Sequence, residues 1–390
     1  MKKGYNWGIE WTKSTDSITG VEITKLVNYK GHSHHFYFTN PGWYDDDNKV
    51  VIGGDRNNTT NLFSVDLISG EITQLTDLKE IPGSGVYFQC SCINNILNEV
   101  NYWYDNKLWA LSLETLEERL LWTLPQKQKA GMSNVTSDGK YVIFNMTEDY
   151  SDKIYTELNH GYIGFEEVWA YGPLCQIVRV PTDGSGKADI LHSGNVWMGH
   201  LNTSPTQPTH LTFCHEGPWD KVDNRIWAMD TATGKIWPLR ERRGPGESIG
   251  HEYWYADGLR VGYHGNYQGK NFLGSVKFDG TDIIEGDFPQ HTWHVHSNDH
   301  TLAVGDGNNK GTWNAAGSVL LWLWNGKSYD APRLLCKHRC SMHTQETHVH
   351  PCISPDNTYI LYTSDRSGYG SPYIAKLPED LSKLPFAENE

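Results

Sequence analysis

A unit of strands and turns recurs along this chain about every 40–60 residues, and it restricts the fold more than any other feature. The stretch VVIGGDRNNTTNLFSVDLISGEITQLTD (50–77) reads as a strand, a turn, a second strand, an Asp-containing turn ending in Ser69-Gly70, and a third strand. NYWYDNKLWALSLETLEERLLW (101–122) follows the same plan, and HLTFCHEGPWDKVDNRIWAMDTATGKIWPL (210–239) repeats it with a longer first loop. YILYTSDRSGYGSPYIAKLP (359–378) stops before its outermost strand, while Ser137-Asp138-Gly139 and Ser354-Pro355-Asp356-Asn357 take equivalent turns. A repeat of three or four antiparallel strands is the signature of a β-propeller.

Seven blades are expected, near 36–80, 81–125, 126–194, 195–242, 243–290, 291–340 and 341–380. The last lacks an outer strand at the C-terminal end. Residues 6–28, with Val21-Glu22-Ile23-Thr24-Lys25-Leu26 after the Thr19-Gly20 turn, can supply it and so remove an open edge. The fold class is therefore all-β, a seven-bladed propeller closed by an N-terminal strand. Residues 147–172 are irregular, acidic and aromatic; they read as an insertion in the third blade, either a wall over one mouth or a plain surface loop. No linker stands out, so 1–390 is taken as one domain.

Composition agrees with short aromatic strands joined by glycine turns. There are 16 Trp, 21 Tyr and 38 Gly in a chain only 38% hydrophobic. A net charge of −14 argues against a nucleic-acid partner. The seven Cys are odd in number and lack zinc-knuckle spacing, which points to reduced thiols in a cytoplasmic protein. Met1-Lys2-Lys3-Gly4 has no apolar stretch behind it, and no run approaches the roughly 18 apolar residues of a membrane helix. The expectation is an intracellular chain with no membrane partner; its oligomeric state is left open.

The residues with chemistry cluster late. In Gln345-Glu346-Thr347-His348-Val349-His350 the two imidazoles stand two apart, so a β-strand would put both on one face. Trp293-His294-Val295-His296 repeats the alternation one blade earlier. His294, Gln345, His348 and His350 thus offer imidazole nitrogen and amide oxygen from two consecutive blades, a donor set suited to Mn, Fe, Ni or Zn. The bland alternative is unrelated surface histidines. Arg225 can neutralise a ligand carboxylate, or pair with Asp223 or a nearby Glu. His251 can act as a general base, or sit as a hydrogen-bonded core residue.

These residues fall in motifs that together match a family. FCHEGP (213–218) is followed by Asp223 and Arg225. GES with HE-aromatic-Trp spans 246–254, HxxSN (294–298) precedes VGDG (304–307), and QxTHxHP covers 345–351. With these in order over nearly the full length, the chain resembles the oligogalacturonate lyases, cytoplasmic seven-bladed propellers of pectin-degrading bacteria. The resemblance implies metal ligands His294, Gln345, His348 and His350, with Mn²⁺ the family's usual ion. It implies His251 as the base and Arg225 beside the substrate carboxylate; His294 is preferred to His296 for its spacing to Ser297-Asn298. His215 and His200 match family histidines and are assigned substrate contacts.

Two places depart from the pattern. Gly31-His32-Ser33-His34-His35-Phe36 stands where an arginine close to a single histidine is expected, and the loop after Gly307 is short and contains Trp. The implied activity is metal-assisted β-elimination on short acidic oligosaccharides. Two other readings remain: a metal-dependent hydrolase, against which no carboxylate pair is apparent, and a non-catalytic TolB-like binding propeller.

Overall fold

The computed structural model describes residues 2–80, 88–158, 161–290, 292–307 and 317–387. Their strands form seven antiparallel sheets of four to six strands, and the fold is all-β, a seven-bladed propeller. The sheets are numbered here as blades in chain order. They divide between two compact units: one is Met1–Gln89, Leu113–Leu116 and Asp287–Glu390, and the other Cys90–Ser112 and Glu117–Gly286. The first holds blades 1, 6 and 7, and the second blades 2 to 5.

Burial explains the sequence pattern strand by strand. Inner strands are covered on both faces and read as continuous apolar runs, as in Ser318–Leu323 (SVLLWL). Outer strands such as Glu118–Thr123 (ERLLWT) leave most positions exposed or partly buried and bury only Leu121. In the first unit Val304, Val319, Leu321, Ile353, Ile360 and Tyr373 share one apolar cluster. In the second, Leu108, Leu121, Val142, Phe144 and Val178 share another. The recurring Asp turns are held locally. Asp66 Oδ1 accepts the amides of Ile68 (2.9 Å) and Ser69 (2.7 Å), and Gly70 follows at φ 83°, a conformation that only glycine adopts cheaply.

The N-terminal segment divides its strands. Glu22–Lys25 pairs with Ser371–Lys376, with Ile23 opposite Ala375, and so completes blade 7 as the sequence suggested. Thr12–Thr15 adds one more strand outside it. Asn6–Ile9 instead joins the edge of blade 1 against Glu71–Gln74. The insertion of the third blade leaves Tyr141–Glu148 and returns at Cys175–Pro181; it contains the helix Phe165–Tyr171, whose Val168 is buried.

One local expectation fails. Residues 345–350 are not a strand: Gln345–Thr347 is a single 3₁₀ turn. Thr347 Oγ1 accepts the Thr344 amide at 3.0 Å, and the Thr347 amide donates to the Thr344 carbonyl at 3.0 Å, a reciprocal cap that closes the turn. His348 leaves it extended, and His350 takes a left-handed φ of 43°.

Candidate functional site

The motif residues gather into two clusters, one in each unit. In the first unit the cluster is built on His294, which immediately precedes the strand Val295–His296, and on the turn that delivers His348 and His350. All three imidazoles are buried, and their ligand nitrogens lie within 4.8 Å of one another. Ring centroids are 4.3 Å apart for His294 and His350, and 5.4 Å for His348 and His350. The two-residue spacing therefore converges through a turn and a left-handed residue rather than through a strand face.

Asp306 holds His294 in place. Its Oδ2 accepts from His294 Nδ1 at 2.5 Å, and its Oδ1 accepts from the His294 amide (2.9 Å) and Thr292 Oγ1 (2.9 Å). Burial pushes this carboxyl up, but the neighbouring imidazole and these donors outweigh it and hold it below the usual range. An ionised Asp306 keeps the proton of His294 on Nδ1 and leaves the Nε2 lone pair for an ion. Tyr37 packs 4.8 Å from His350 and Phe38 5.8 Å from His294, an aromatic surround that limits water. His35 lies 2.9 Å through Nε2 from the His350 carbonyl and fixes the backbone of that residue. Buried imidazoles backed by an anion fit a borderline transition ion.

The other residues of these motifs are placed as follows. Gln345 opens the turn, and its carbonyl accepts from Gln89 Nε2 at 2.8 Å. His296 is used by the fold, its Nδ1 accepting the Ile353 amide at 3.2 Å. The Trp-containing loop after Gly307 lies outside the described residues.

The second unit brings together blades 4 and 5. His200 lies on Met198–Thr203 and His251 on Ser248–Trp254, the first strands of their sheets. Each follows a glycine, breaks the ladder register and has positive φ, 44° at His200 and 52° at His251. Such bulges re-aim a side chain, and the two imidazole centroids lie 6.2 Å apart.

Arg225, just ahead of Ile226–Asp230, is buried between carboxylates. Its Nη1 donates to Glu216 Oε2 at 2.6 Å, and its Nε stands 3.6 Å from Glu252 Oε2. Glu252 is 0% exposed. Burial pushes Glu216 up, but Arg225 and His200 outweigh it and keep it below the ordinary carboxylate range. Asp223 is not the partner of Arg225; it takes His215 Nδ1 at 2.8 Å, and His215 stacks on Trp227 at 4.7 Å. His251 Nδ1 lies 3.0 Å from His264 Nε2. Trp219, 46% exposed, lies 5.7 Å from the Arg225 guanidinium.

The carboxylate pair that seemed absent from the sequence is thus present, as Glu216 and Glu252, but it is committed to Arg225. His200, Cys214 and Glu216 also place three ligand atoms within 4.8 Å. A guanidinium already neutralises Glu216, and burial holds the Cys214 thiol well above its ordinary pKa. That group is better suited to clamping Arg225 than to holding a cation. Sequence reasoning missed Asp306, Glu216, Glu252 and His264 as working residues. The first three stood inside quoted motifs; His264 had no signal beyond the strand it occupies.

Known proteins resemble this chain over nearly its whole length. A family model described as oligogalacturonate lyase matches residues 1–381. Among curated relatives, the oligogalacturonate lyase of Dickeya dadantii (strain 3937) is 27% identical, covering 98% of this chain and 100% of that protein. The oligogalacturonide lyase of Pectobacterium atrosepticum is also 27% identical, with the same coverage. Among solved structures, an oligogalacturonate lyase in complex with manganese aligns with a TM-score of 0.85 at 26% identity, over 98% of this chain and 100% of that one. An oligogalacturonate lyase from Vibrio parahaemolyticus aligns at 0.84 and 26%, over 97% and 99%. With the family model covering all but the last few residues, this chain belongs to the oligogalacturonate lyase family.

Proposed function

We propose that this protein is a manganese-dependent lyase that cleaves short oligogalacturonides, digalacturonate among them, by β-elimination to 4,5-unsaturated uronates. The observation that carries the reading is the convergence of buried His294, His348 and His350 with ionised Asp306 behind them, in a chain of this family. These imidazoles, with Gln345, would hold the ion. When bound, it would neutralise a uronate carboxylate and lower the cost of placing further negative charge beside it.

The chain's own groups supply the rest. The C5 proton of a 4-linked uronide is only weakly acidic because an ionised carboxylate stands next to it. Among the described residues Arg225 has Nη1 taken by Glu216 and Nε facing Glu252, and Nη2 is the nitrogen that would meet a substrate carboxylate. His251 takes the proton, and O4 leaves with the electron pair of the C4–O4 bond. A general base of this kind contributes on the order of 10²–10⁴ in rate. His200 and His215 contact the sugar.

The acidic substrate is met by local cations in an anionic chain. All seven cysteines are free thiols, which supports a reducing, cytoplasmic setting. No helix among the described residues is long and apolar enough to cross a membrane. Hydrolysis by two carboxyl groups requires both to be free to reach the sugar and a water, whereas Glu216 is bonded to Arg225 and Glu252 faces the same guanidinium.

The test is to mix the protein with digalacturonate, with Mn²⁺ or with chelator, and to follow ultraviolet absorbance of the unsaturated product alongside its mass. A rise that chelator abolishes, with no water added to the products, is expected. Products heavier by one water would replace the lyase by a hydrolase, and no turnover of any short uronide would overturn the substrate.

A further inference from the structure

Two imidazole nitrogens 3.0 Å apart share one proton, and where it sits decides whether His251 can act as a base. If His264 Nε2 carries it, a neutral His251 must hold its own proton on Nε2, and that nitrogen has no lone pair to offer. If His251 Nδ1 carries it, Nε2 is bare. We propose that His264 is a positioning residue that keeps His251 in the Nδ1–H form and so presents Nε2 to the C5 proton. This rests on the reading of His251 as the base.

The geometry suits that task. His264 is 7% exposed and lies on Arg260–Tyr267, a strand laddered on both sides. It pairs directly with Gly250, the residue before His251, and the two rings lie 5.2 Å apart at 30°. His251 itself stands on a register break with φ 52°, so its backbone alone does not fix the ring. A rigid partner on the next strand does.

During reaction the C5–H bond breaks and its proton goes to His251 Nε2. The electron pair forms the C4–C5 double bond as C4–O4 breaks, and the leaving oxygen is protonated by water. The resulting imidazolium still donates through Nδ1 to His264, in a bond now charge-assisted. The acceptor is a neutral ring, in contrast to the carboxylate behind His294, so it orients His251 without holding a proton on it.

The elements packed on this strand carry Cys214, Asp230, Arg260, Tyr263 and Tyr267, and Tyr253 stands on the strand itself. Blade 4 contributes His200, with Glu216 and Arg225 at the ends of its second and third strands; the strand itself carries Glu252, and the next carries His264. Glu216 and Glu252 are committed to Arg225, so a carboxylate placed at 264 is the clean perturbation.

The experiment combines kinetics on the metal-loaded enzyme with imidazole ¹⁵N spectra of the substrate-free protein, with His251→Ala used for assignment. His251 is expected as the Nδ1–H tautomer. His264→Leu should lower kcat about 10²-fold with little change in KM, as expected for a mispositioned group. His264→Gln, whose amide oxygen can accept the same bond, should recover most of the loss. His264→Glu should raise the pKa of His251 and move the acid limb of kcat/KM to higher pH by about one unit. A wild-type His251 in the Nε2–H form overturns the proposal. So does a folded His264→Leu with wild-type kcat and pH profile, and so does an equal loss in the Leu and Gln variants. If the wild type eliminates nothing, the proposed activity fails, while the spectra still report the tautomer.

Discussion

His294 and His251 each meet a partner through Nδ1, but the partners differ in kind: Asp306 is a carboxylate and His264 another imidazole. The first arrangement raises the basicity of a nitrogen that would bind an ion, and in the proposed mechanism the second leaves His251 free to gain and lose a proton. Replacing Asp306 with Asn removes the charge and keeps the shape. It should weaken Mn²⁺ binding by about 10–100-fold, measured by calorimetry on the folded variant. The motifs around His294, His348 and His350 were legible because histidines two apart are conspicuous in a chain. The pairings His294–Asp306 and His251–His264 were not. Each joins residues 12 or 13 apart across two strands, and only the register brings them together.

At the level of the element, departures from regular strand geometry do most of the aiming. A period of two was expected to bring His348 and His350 to one face, yet a 3₁₀ turn and a left-handed residue do so instead. Reciprocal bonding between Thr344 and Thr347 overrides the alternation, and a local cap of that kind does not register in hydrophobic patterning. In blade 4 the register break after Gly199 serves the same end. A Cβ at Gly199 would meet Glu216 Oε1 at 2.8 Å, so Gly199→Ala must displace the carboxylate that clamps Arg225. The expected result is a protein that still folds, with kcat/KM reduced by about tenfold or more, as small displacements near the reacting groups cost that much. Steady-state rates beside a thermal melt separate the two effects.

For the whole molecule the repeat was readable from the start, because blades that bury both faces of their inner strands leave apolar runs between Asp and Gly turns. The closing strand Glu22–Lys25 was readable too, since blade 7 lacked a strand that the N-terminal segment could supply. The separate docking of Asn6–Ile9 on blade 1 was not, because a four-residue amphipathic strand fits either edge. Burial also sets the acid limit of stability. His34 and His338 are pushed from 6.5 to about 4 by burial, and so remain neutral in the fold. The unfolded chain takes up these protons below 6.5, so between about 4 and 6.5 it binds more protons than the native state. Stability therefore falls as pH drops through that window, by up to about 1.4 kcal/mol per pH unit for each histidine. Melting temperatures followed from neutral pH downward should decline over this range; a flat profile would mean these two imidazoles are protonated in the folded protein.

The most direct measurement compares wild type and His251→Ala on digalacturonate at saturating Mn²⁺, with product absorbance for turnover and calorimetry for the ion. Elimination should fall by about 10²–10⁴-fold while Mn²⁺ affinity stays as in the wild type. A variant that turns over within a few-fold of wild type, with its metal bound, would contradict His251 as the base.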